Sequence, residues 1–178
     1  MRNALVLLEQ PQAVTDRLVT DGFTAVDTAA TSALNLLVCE LVNPASSSFV
    51  GTDPGIWLAT VRNCTAMPFQ QAQRSLPRLK LGNDARIIFV FDGWRAAAEE
   101  KSTASAAANG AIVSLVKTLA RDLGSEGITV NAIARARHAV SGPNSTGLTG
   151  AVAYLASPLA GALTGQILNL GTGGEIRP

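Results

Sequence analysis

Reactive side chains are scarce in this chain of 178 residues, which has one histidine, two cysteines and one tyrosine. Two Cys and one His cannot by themselves form a structural zinc site, because such a site takes four ligands. No apolar run reaches the roughly 18 residues that a membrane-spanning helix needs. The net charge is only +1 and the charges are scattered along the chain. We therefore expect no metal centre, no membrane association and no nucleic-acid partner.

The beginning of the chain does not have the pattern of an export signal. Its apolar run ends at Glu9 and is too short for a signal peptide. We therefore expect a cytoplasmic protein in which Cys39 and Cys64 are free thiols.

The composition is that of a folded protein, with 47% hydrophobic and 15% charged residues. There is no repeat and no linker, so residues 1–178 are interpreted as one domain. Short apolar runs alternate with helical patterns, which is typical of a parallel α/β sheet. Six strands are predicted, at 4–8, 23–26, within 34–42, and at 85–91, 128–133 and 166–170.

Three helices are predicted between these strands, at 13–19, 54–76 and 102–123. Asp53 is suited to cap the second helix, and Pro68 inside it is expected to bend it because proline lacks a backbone donor. In the third helix, apolar residues recur at three- and four-residue spacings. This stripe can pack on the chain's own sheet or on a second chain, and the low charge of the helix favours burial on more than one side. The predicted interface residues are Ala104, Ala107, Ala108, Ala111, Ile112, Leu115 and Leu119.

Three stretches together resemble the short-chain dehydrogenase/reductase (SDR) family, nearest its 3-oxoacyl-[acyl-carrier-protein] reductase branch. They are SLVKTLARDLGSEGITVNAIA (114–134), AVAYLASPLAGALTGQILNLGTGG (151–174) and the segment 56–93, which runs from IWLATVRNCTAMPFQQAQ to ARIIFVFDG. The resemblance implies a doubly wound, Rossmann-like parallel sheet with helices on both faces. It also implies that NAD(P) binds at the carboxyl ends of the strands.

The resemblance places most of the catalytic positions of the family on unsuitable residues. The family uses a Tyr, a Lys four residues later, a Ser after a strand and an Asn on the preceding helix. Ser105 stands at the Tyr position, Asn109 at the Lys position and Asp92 at the Ser position, whereas Asn63 matches the family. Neither Ser105 nor Asn109 titrates near neutral pH. Asp92 offers a carboxylate where a hydrogen-bond donor is required.

The cofactor loop is also missing. A dinucleotide site needs glycines after the first strand, so that the pyrophosphate reaches backbone amides. This chain has Glu9, Gln10, Pro11 and Gln12 there instead. Asp27 is interpreted as a helix cap. We therefore predict that this chain binds no NAD(P) and that NAD(P) belongs only to a partner subunit.

Two segments are shorter than in the family. Between the second and third strands the chain has only TAATSAL, where the family inserts a helix, a strand and another helix. The substrate lid is reduced to residues 135–150, which are predicted to be a turn-rich connector. Its basic residues, Arg135, Arg137 and His138, are interpreted as a solvated loop in preference to an anion site. The tail at 173–178 is either disordered or reaches a partner's substrate pocket.

Three hypotheses follow. The catalytic residues are replaced while the long helices are retained, which favours a catalytically inactive subunit. This subunit would join an active SDR partner in a hetero-oligomeric 3-oxoacyl/3-hydroxyacyl oxidoreductase. It would stabilise the partner or complete the partner's substrate pocket. A homodimer is also possible. The second hypothesis is a binding module for an acyl-CoA or small ligand, in an emptied cleft lined by Asn63, Asp92, Ser105 and Asn109. The third is an enzyme with new chemistry, in which Asp92 is a base.

Overall fold

A computed structural model describes residues 2–41, 48–93, 103–135 and 143–171, without the side chains of residues 143–146. The strands are β1 (Arg2–Leu7), β2 (Phe23–Ala25), β3 (Leu36–Glu40), β4 (Arg86–Asp92), β5 (Thr129–Arg135) and β6 (Ile167–Leu170). The helices are α1 (Gln12–Thr20), α2 (Pro54–Leu79), α3 (Thr103–Asp122) and α4 (Pro143–Ala156). Short 3₁₀ helices lie at Gly124–Glu126 and Pro158–Ala160. The six predicted strands and the three predicted helices are confirmed, with boundaries shifted by a few residues.

The cap of α2 is confirmed as well. The Asp53 carboxylate accepts the backbone N–H groups of Gly55 at 2.8 Å and Ile56 at 3.0 Å. The prediction of a turn-rich connector over 135–150 is wrong in its second half, because α4 already begins at Pro143. Proline suits the first turn of a helix, where its missing N–H needs no partner. Residues 136–142 and the tail at 173–178, with Arg137 and His138, lie outside the described residues.

The six strands form one parallel sheet in the order β2-β1-β3-β4-β5-β6. The sheet is therefore doubly wound, as predicted, and its order reverses between β1 and β3. A switch point of this kind opens a crevice at the carboxyl ends of the two strands. The topology thus predicts a binding crevice where β1 and β3 end.

Helices cover both faces of the sheet. Helices α2 and α3 pack on one face, where they meet side chains such as Ile87 and Phe89 of β4. Helices α1 and α4 pack on the other face, which Ile88 and Val90 join. Every residue of β3 and β4 is buried, which explains why these strands are continuous apolar runs in the sequence. Among the described helices, none combines the length and the apolar character that crossing a bilayer would require.

Residues 26–35 carry the chain from β2 past β1 to β3 without a helix. Such a parallel crossover usually takes roughly a dozen or more residues. Here β2 is short, and Ala4 of β1 is level with both Ala25, the last residue of β2, and Leu36, the first residue of β3. The chain therefore need not run back along the sheet. This geometry explains how the fold accommodates the shortened segment.

The side chains of an asparagine and an arginine hold this crossover. The Asn35 side-chain oxygen accepts the backbone N–H of Asn3 at 2.9 Å, and its amide nitrogen donates to the carbonyl of Asn83 at 2.8 Å. Arg78 of α2 donates from Nε to the carbonyl of Ser32 at 2.9 Å. The side chains thus replace the hydrogen bonds that a crossover helix would make within its own backbone.

The sequence suggested that Asp27 caps a helix, but the structure shows that it does not. Its carboxylate accepts the backbone N–H groups of Ala29 at 2.9 Å and Ala30 at 2.8 Å, and no helix follows. The same side-chain chemistry that caps helices stabilises an isolated turn here.

Candidate functional site

A pocket of about 260 Å³ lies at the carboxyl edge of the sheet, at the switch point between β1 and β3. Its walls come from the β1–α1 turn, the ends of β3, β5 and β6, and the first half of α4. Apolar side chains such as Leu8, Val14 and Leu170 line it, and Thr149 and Asn169 add polar groups. The crevice that the topology predicts is therefore present.

A network of three charged side chains closes one side of this pocket. Arg135, the last residue of β5, forms ion pairs with Glu40 at the end of β3 and with Asp92 at the end of β4. The Nε–Oδ1 distance to Asp92 is 3.0 Å. The side chains are only 13%, 7% and 7% exposed respectively, so solvent screens these charges weakly.

The two carboxylates keep Arg135 charged. Burial alone would lower the pKa of its guanidinium, but the charges and hydrogen bonds of Glu40 and Asp92 outweigh burial and raise this pKa above its ordinary value. Arg135 is therefore committed to internal partners. The sequence suggested that Arg135 belongs to a solvated basic loop, and this prediction is wrong.

Glu40 also occupies the turn after β1. Its Oε2 atom accepts the backbone N–H of Glu9 at 2.6 Å. An amide at the start of this turn would be offered to a pyrophosphate in a dinucleotide-binding fold. Here the chain's own carboxylate takes that hydrogen bond.

The residues of this turn do not fit a nicotinamide dinucleotide. Residues 2–21 contain no glycine, so every position in the turn carries a side chain. Pro11 is the N-cap of α1 and contributes neither an amide N–H nor a side-chain cap. A pyrophosphate bound at this turn would also lie close to the Glu40 carboxylate, and the two negative charges would repel each other.

Three of the four predicted catalytic positions come together. Ser105 and Asn109 lie one turn apart on the buried face of α3. The Asn109 side-chain nitrogen donates to the backbone carbonyl of Asp92 at 2.7 Å, while its side-chain oxygen has no hydrogen-bond partner in the part of the chain that the structure describes. Asn63, in contrast, is exposed on α2. The frame between β4 and α3 is therefore as predicted, and Asn63 is not part of this buried group.

The chemistry of these three described side chains is limited. Ser105 and Asn109 remain neutral, and Asp92 is held in an ion pair with Arg135. Asn63, Asp92, Ser105 and Asn109 are not among the described residues that line the carboxyl-edge pocket, so the hypothesis of a cleft lined by these four residues stays a prediction about a different place. Glu40 and Arg135 line the pocket instead. Their signal in the sequence is a single charged residue that ends each of two apolar strands, LLVCE and TVNAIAR.

The predicted interface on α3 also needs correction. Ala104, Ala108 and Ile112 are at most 5% exposed, so they pack inside this chain and cannot contact a partner. Ala111 is exposed, and Ala107, Leu115 and Leu119 are partly exposed. The apolar stripe therefore packs mainly on the chain's own core. The exposed residues of α3 are small at Ala111 and Ser114 and charged at Lys117, Arg121 and Asp122.

A family model described as enoyl-(acyl carrier protein) reductase matches residues 23–140, which is more than half of the chain. The chain belongs to the short-chain dehydrogenase/reductase family. The match begins at the first residue of β2. It therefore leaves out β1 and the turn where an SDR would have its glycine loop.

Individual relatives agree with this assignment. Nodulation protein G of Azospirillum brasilense is 28% identical over 148 residues, which cover 70% of this chain and 59% of that protein. The chain thus spans less than two thirds of that relative's length.

Solved structures show the same fold. An SDR from Serratia marcescens has a TM-score of 0.79 at 22% identity, with 98% of each chain covered. A putative 3-oxoacyl-reductase from Bacillus thuringiensis has a TM-score of 0.75 at 17% identity, with 99% of each chain covered. At these identities the likeness establishes the SDR fold and nothing further.

Proposed function

We propose that this chain is a non-catalytic SDR subunit that assembles with an active SDR partner into a 3-oxoacyl/3-hydroxyacyl oxidoreductase. One observation carries the proposal: Glu40 of the Glu40–Arg135–Asp92 network accepts the backbone N–H of Glu9, in the turn where an active SDR presents its cofactor loop. The partner binds the NAD(P) and performs the reaction. This chain stabilises the partner or completes its substrate pocket.

The acyl substrate class rests on the resemblance in sequence. The matching family model is described by an acyl-carrier-protein substrate, and a structural neighbour is described as a putative 3-oxoacyl-reductase. Both descriptions concern the chemistry of a complete enzyme. They therefore support an acyl substrate for the complex and not for this chain alone.

The outer faces of the two long helices support a protein partner. On α3, Ala107, Gly110, Ala111 and Ser114 are small and at least partly exposed, and a Cβ atom added at Gly110 would meet nothing within 4 Å. Small residues allow another helix to approach closely. Glycine inside a helix costs about 0.5–1 kcal/mol relative to alanine, so its presence without a contact within the chain favours a contact outside it.

Helix α2 adds large apolar groups. Leu58 and Phe69 are 62% and 43% exposed, and they lie on nearly the same side of the helix because they are 11 residues apart. Single exposed apolar residues are common on protein surfaces, but two on the same side of one helix favour a contact surface. A partner that covers α2 and α3 would remove these side chains from water.

Co-expression with an active, full-length SDR from the same genome tests the proposal. We expect the two chains to co-purify and to elute together in size-exclusion chromatography with light scattering. Gly110→Leu should abolish co-elution without unfolding the chain. Gly124→Leu is the matched control, because Gly124 is also open to solvent but lies beyond α3.

Two results would contradict the proposal. One is a chain that stays a stable monomer or homodimer in the presence of every co-expressed SDR. The other is reduction of a 3-oxoacyl substrate by the isolated chain with NADPH or NADH.

The pocket supports a second candidate function, the binding of a small ligand. Its volume of about 260 Å³ is below the roughly 300–1,000 Å³ of common ligand sites, so it suits a small apolar group and not a whole acyl-CoA. Native mass spectrometry of the purified chain should detect such a ligand. Leu148→Trp, which fills the pocket, should remove it, whereas Tyr154→Trp on the exposed side of α4 should not.

A further inference from the structure

Arg86 is a buried cation at the end of the sheet opposite to the pocket. It is the first residue of β4 and is only 7% exposed. Its Nη1 atom has no hydrogen-bond partner, and no ion pair with Arg86 is found within the described ranges. Proteins rarely bury a charge without pairing it, because the lost hydration is costly. The unpartnered Nη1 group can therefore donate a hydrogen bond to an anion.

A second unpartnered group lies beside Arg86. Thr129 of β5 is its partner in the parallel ladder, and the Thr129 hydroxyl is buried without a hydrogen bond. Their neighbours Ile87 and Val130 point to the α2–α3 face. Because side chains alternate along a strand, Arg86 and Thr129 both point to the opposite face, which α1 and α4 cover.

Two charges act on Arg86, one of opposite sign and one of like sign. Burial lowers the pKa of its guanidinium, the negative charge of Asp84 opposes this, and the positive charge of Arg2 lowers the pKa further. Asp84 is exposed and forms no ion pair with Arg86. Arg2 donates to the carbonyl of Asp21 at 2.7 Å and lies over the ring of Phe23. No carboxylate among the described residues thus pairs with Arg86.

An open depression of about 400 Å³ leads toward this position. It is lined by Arg2, Phe23, Pro158 and Leu159, among others. Gly161 follows the Pro158–Ala160 turn, and a Cβ atom added to it would lie 3.8 Å from Nη2 of Arg86. Gly161 thus lies close to the Arg86 guanidinium, and Pro158 and Leu159 of the same turn line the depression.

We propose that Arg86 and Thr129 bind a small oxyanion, a carboxylate or a phosphate, at the amino edge of the sheet. The planar guanidinium can donate two parallel hydrogen bonds to such a group, and the Thr129 hydroxyl can donate a third. The anion would enter past Pro158 and Leu159. This site is separate from the carboxyl-edge pocket and does not depend on the proposed subunit role.

Thermal unfolding and titration calorimetry of the full chain test this site, with sodium phosphate and sodium acetate as probes against sodium chloride. Ionic strength is held constant so that screening does not change. A saturable rise in the unfolding temperature is expected, because a ligand that binds only the folded state stabilises it. A response to phosphate identifies a phosphate site, and a response to acetate alone identifies a carboxylate site. The absence of any response to both probes overturns the proposal.

Substitutions assign the response to Arg86. Arg86→Met should weaken the binding of the active probe by at least about tenfold, the loss of one charge-assisted hydrogen bond. It should leave stability in chloride unchanged or higher, because an apolar side chain of similar length replaces an unpaired charge. Arg121→Met, on the exposed side of α3, is the control for the lost charge.

A probe that binds Arg86→Met as tightly as the wild type overturns the proposal. Should Arg86→Met fail to fold, Arg86→Lys and Thr129→Val serve instead. The first keeps the charge but loses the planar fork, and the second keeps the shape but loses the hydroxyl. Each must weaken the binding of the probe, and unchanged affinity in both also overturns the proposal.

Discussion

Arg135, at the end of β5, forms an ion pair with Glu40 at the end of β3, although β4 lies between these strands. It spans this distance because Asp92, at the end of β4, binds the Nε side of the same guanidinium. Glu40 in turn binds the backbone N–H of Glu9. One network thus connects β1, β3, β4 and β5 at the edge where an SDR binds its cofactor.

Arg135→Met should lower the free energy of unfolding by about 3–5 kcal/mol, because it leaves buried carboxylates without their shared cation. Urea denaturation measures the loss. Adding Glu40→Gln to Arg135→Met should recover part of the stability, since one uncompensated charge is then removed. Arg121→Met, on the surface, should change the value by less than about 0.5 kcal/mol. An Arg135→Met variant with the same free energy of unfolding as the wild type would show that the network does not stabilise the fold.

Titration calorimetry of the isolated chain with NADH and with NADPH should detect no stoichiometric binding. The reason is that Pro11 lacks an amide and Glu40 already occupies the amide of Glu9. Glu40→Gln should not restore binding, because Pro11 remains in place. An active SDR under the same conditions is the positive control. Tight binding of either cofactor would refute both the site interpretation and the subunit proposal.

Cys39 should make the stability of the fold depend on pH in alkaline solution. Burial, with a contribution from the charge of Glu40, raises the pKa of Cys39 from 9.0 to about 12. Between these values the unfolded chain has lost a proton that the folded chain keeps, so the free energy of unfolding falls as pH rises. The expected slope is up to about 1.4 kcal/mol per pH unit.

Urea denaturation of the wild type and of Cys39→Ala, at several values above about pH 8, measures this slope. The variant loses some stability at every pH because it leaves a small cavity. Its alkaline slope should nevertheless be shallower than that of the wild type. Equal slopes in the two proteins would mean that Cys39 ionises normally in the fold.

Gly82→Ala should destabilise the protein by about 1–3 kcal/mol or more, because a Cβ atom there would overlap the backbone carbonyl of Leu34. Gly110→Ala is the matched control and should stabilise the isolated chain by about 0.5–1 kcal/mol, since its Cβ atom meets open space in a helix. Urea denaturation of both variants gives the comparison. Similar effects at the two positions would contradict the close packing between residue 82 and the β2–β3 crossover.

The elements of the fold were predictable because their signals are local. Strands β3 and β4 read as continuous apolar runs, and both are buried on both faces. The 17-residue separation between Asp92 and Asn109 predicts that Asn109 lies on the helix after β4. In the structure Asn109 is on α3, and its side chain donates a hydrogen bond to the Asp92 carbonyl. Asp27 shows the limit of local signals, because the same side chain caps a turn as readily as a helix.

The sequence by itself determined the strands and the long helices, since apolar runs and helical spacings are local. It also determined that no glycine follows the first strand before residue 22. Only the tertiary structure decided the strand order after the shortened segment. It also decided that Arg135 meets Glu40, 95 residues away along the chain, and that Nη1 of Arg86 is buried without a hydrogen-bond partner among the described residues. The physical reason is that these features arise when strands from distant parts of the chain align at one edge of a sheet. No local pattern of residues records that alignment.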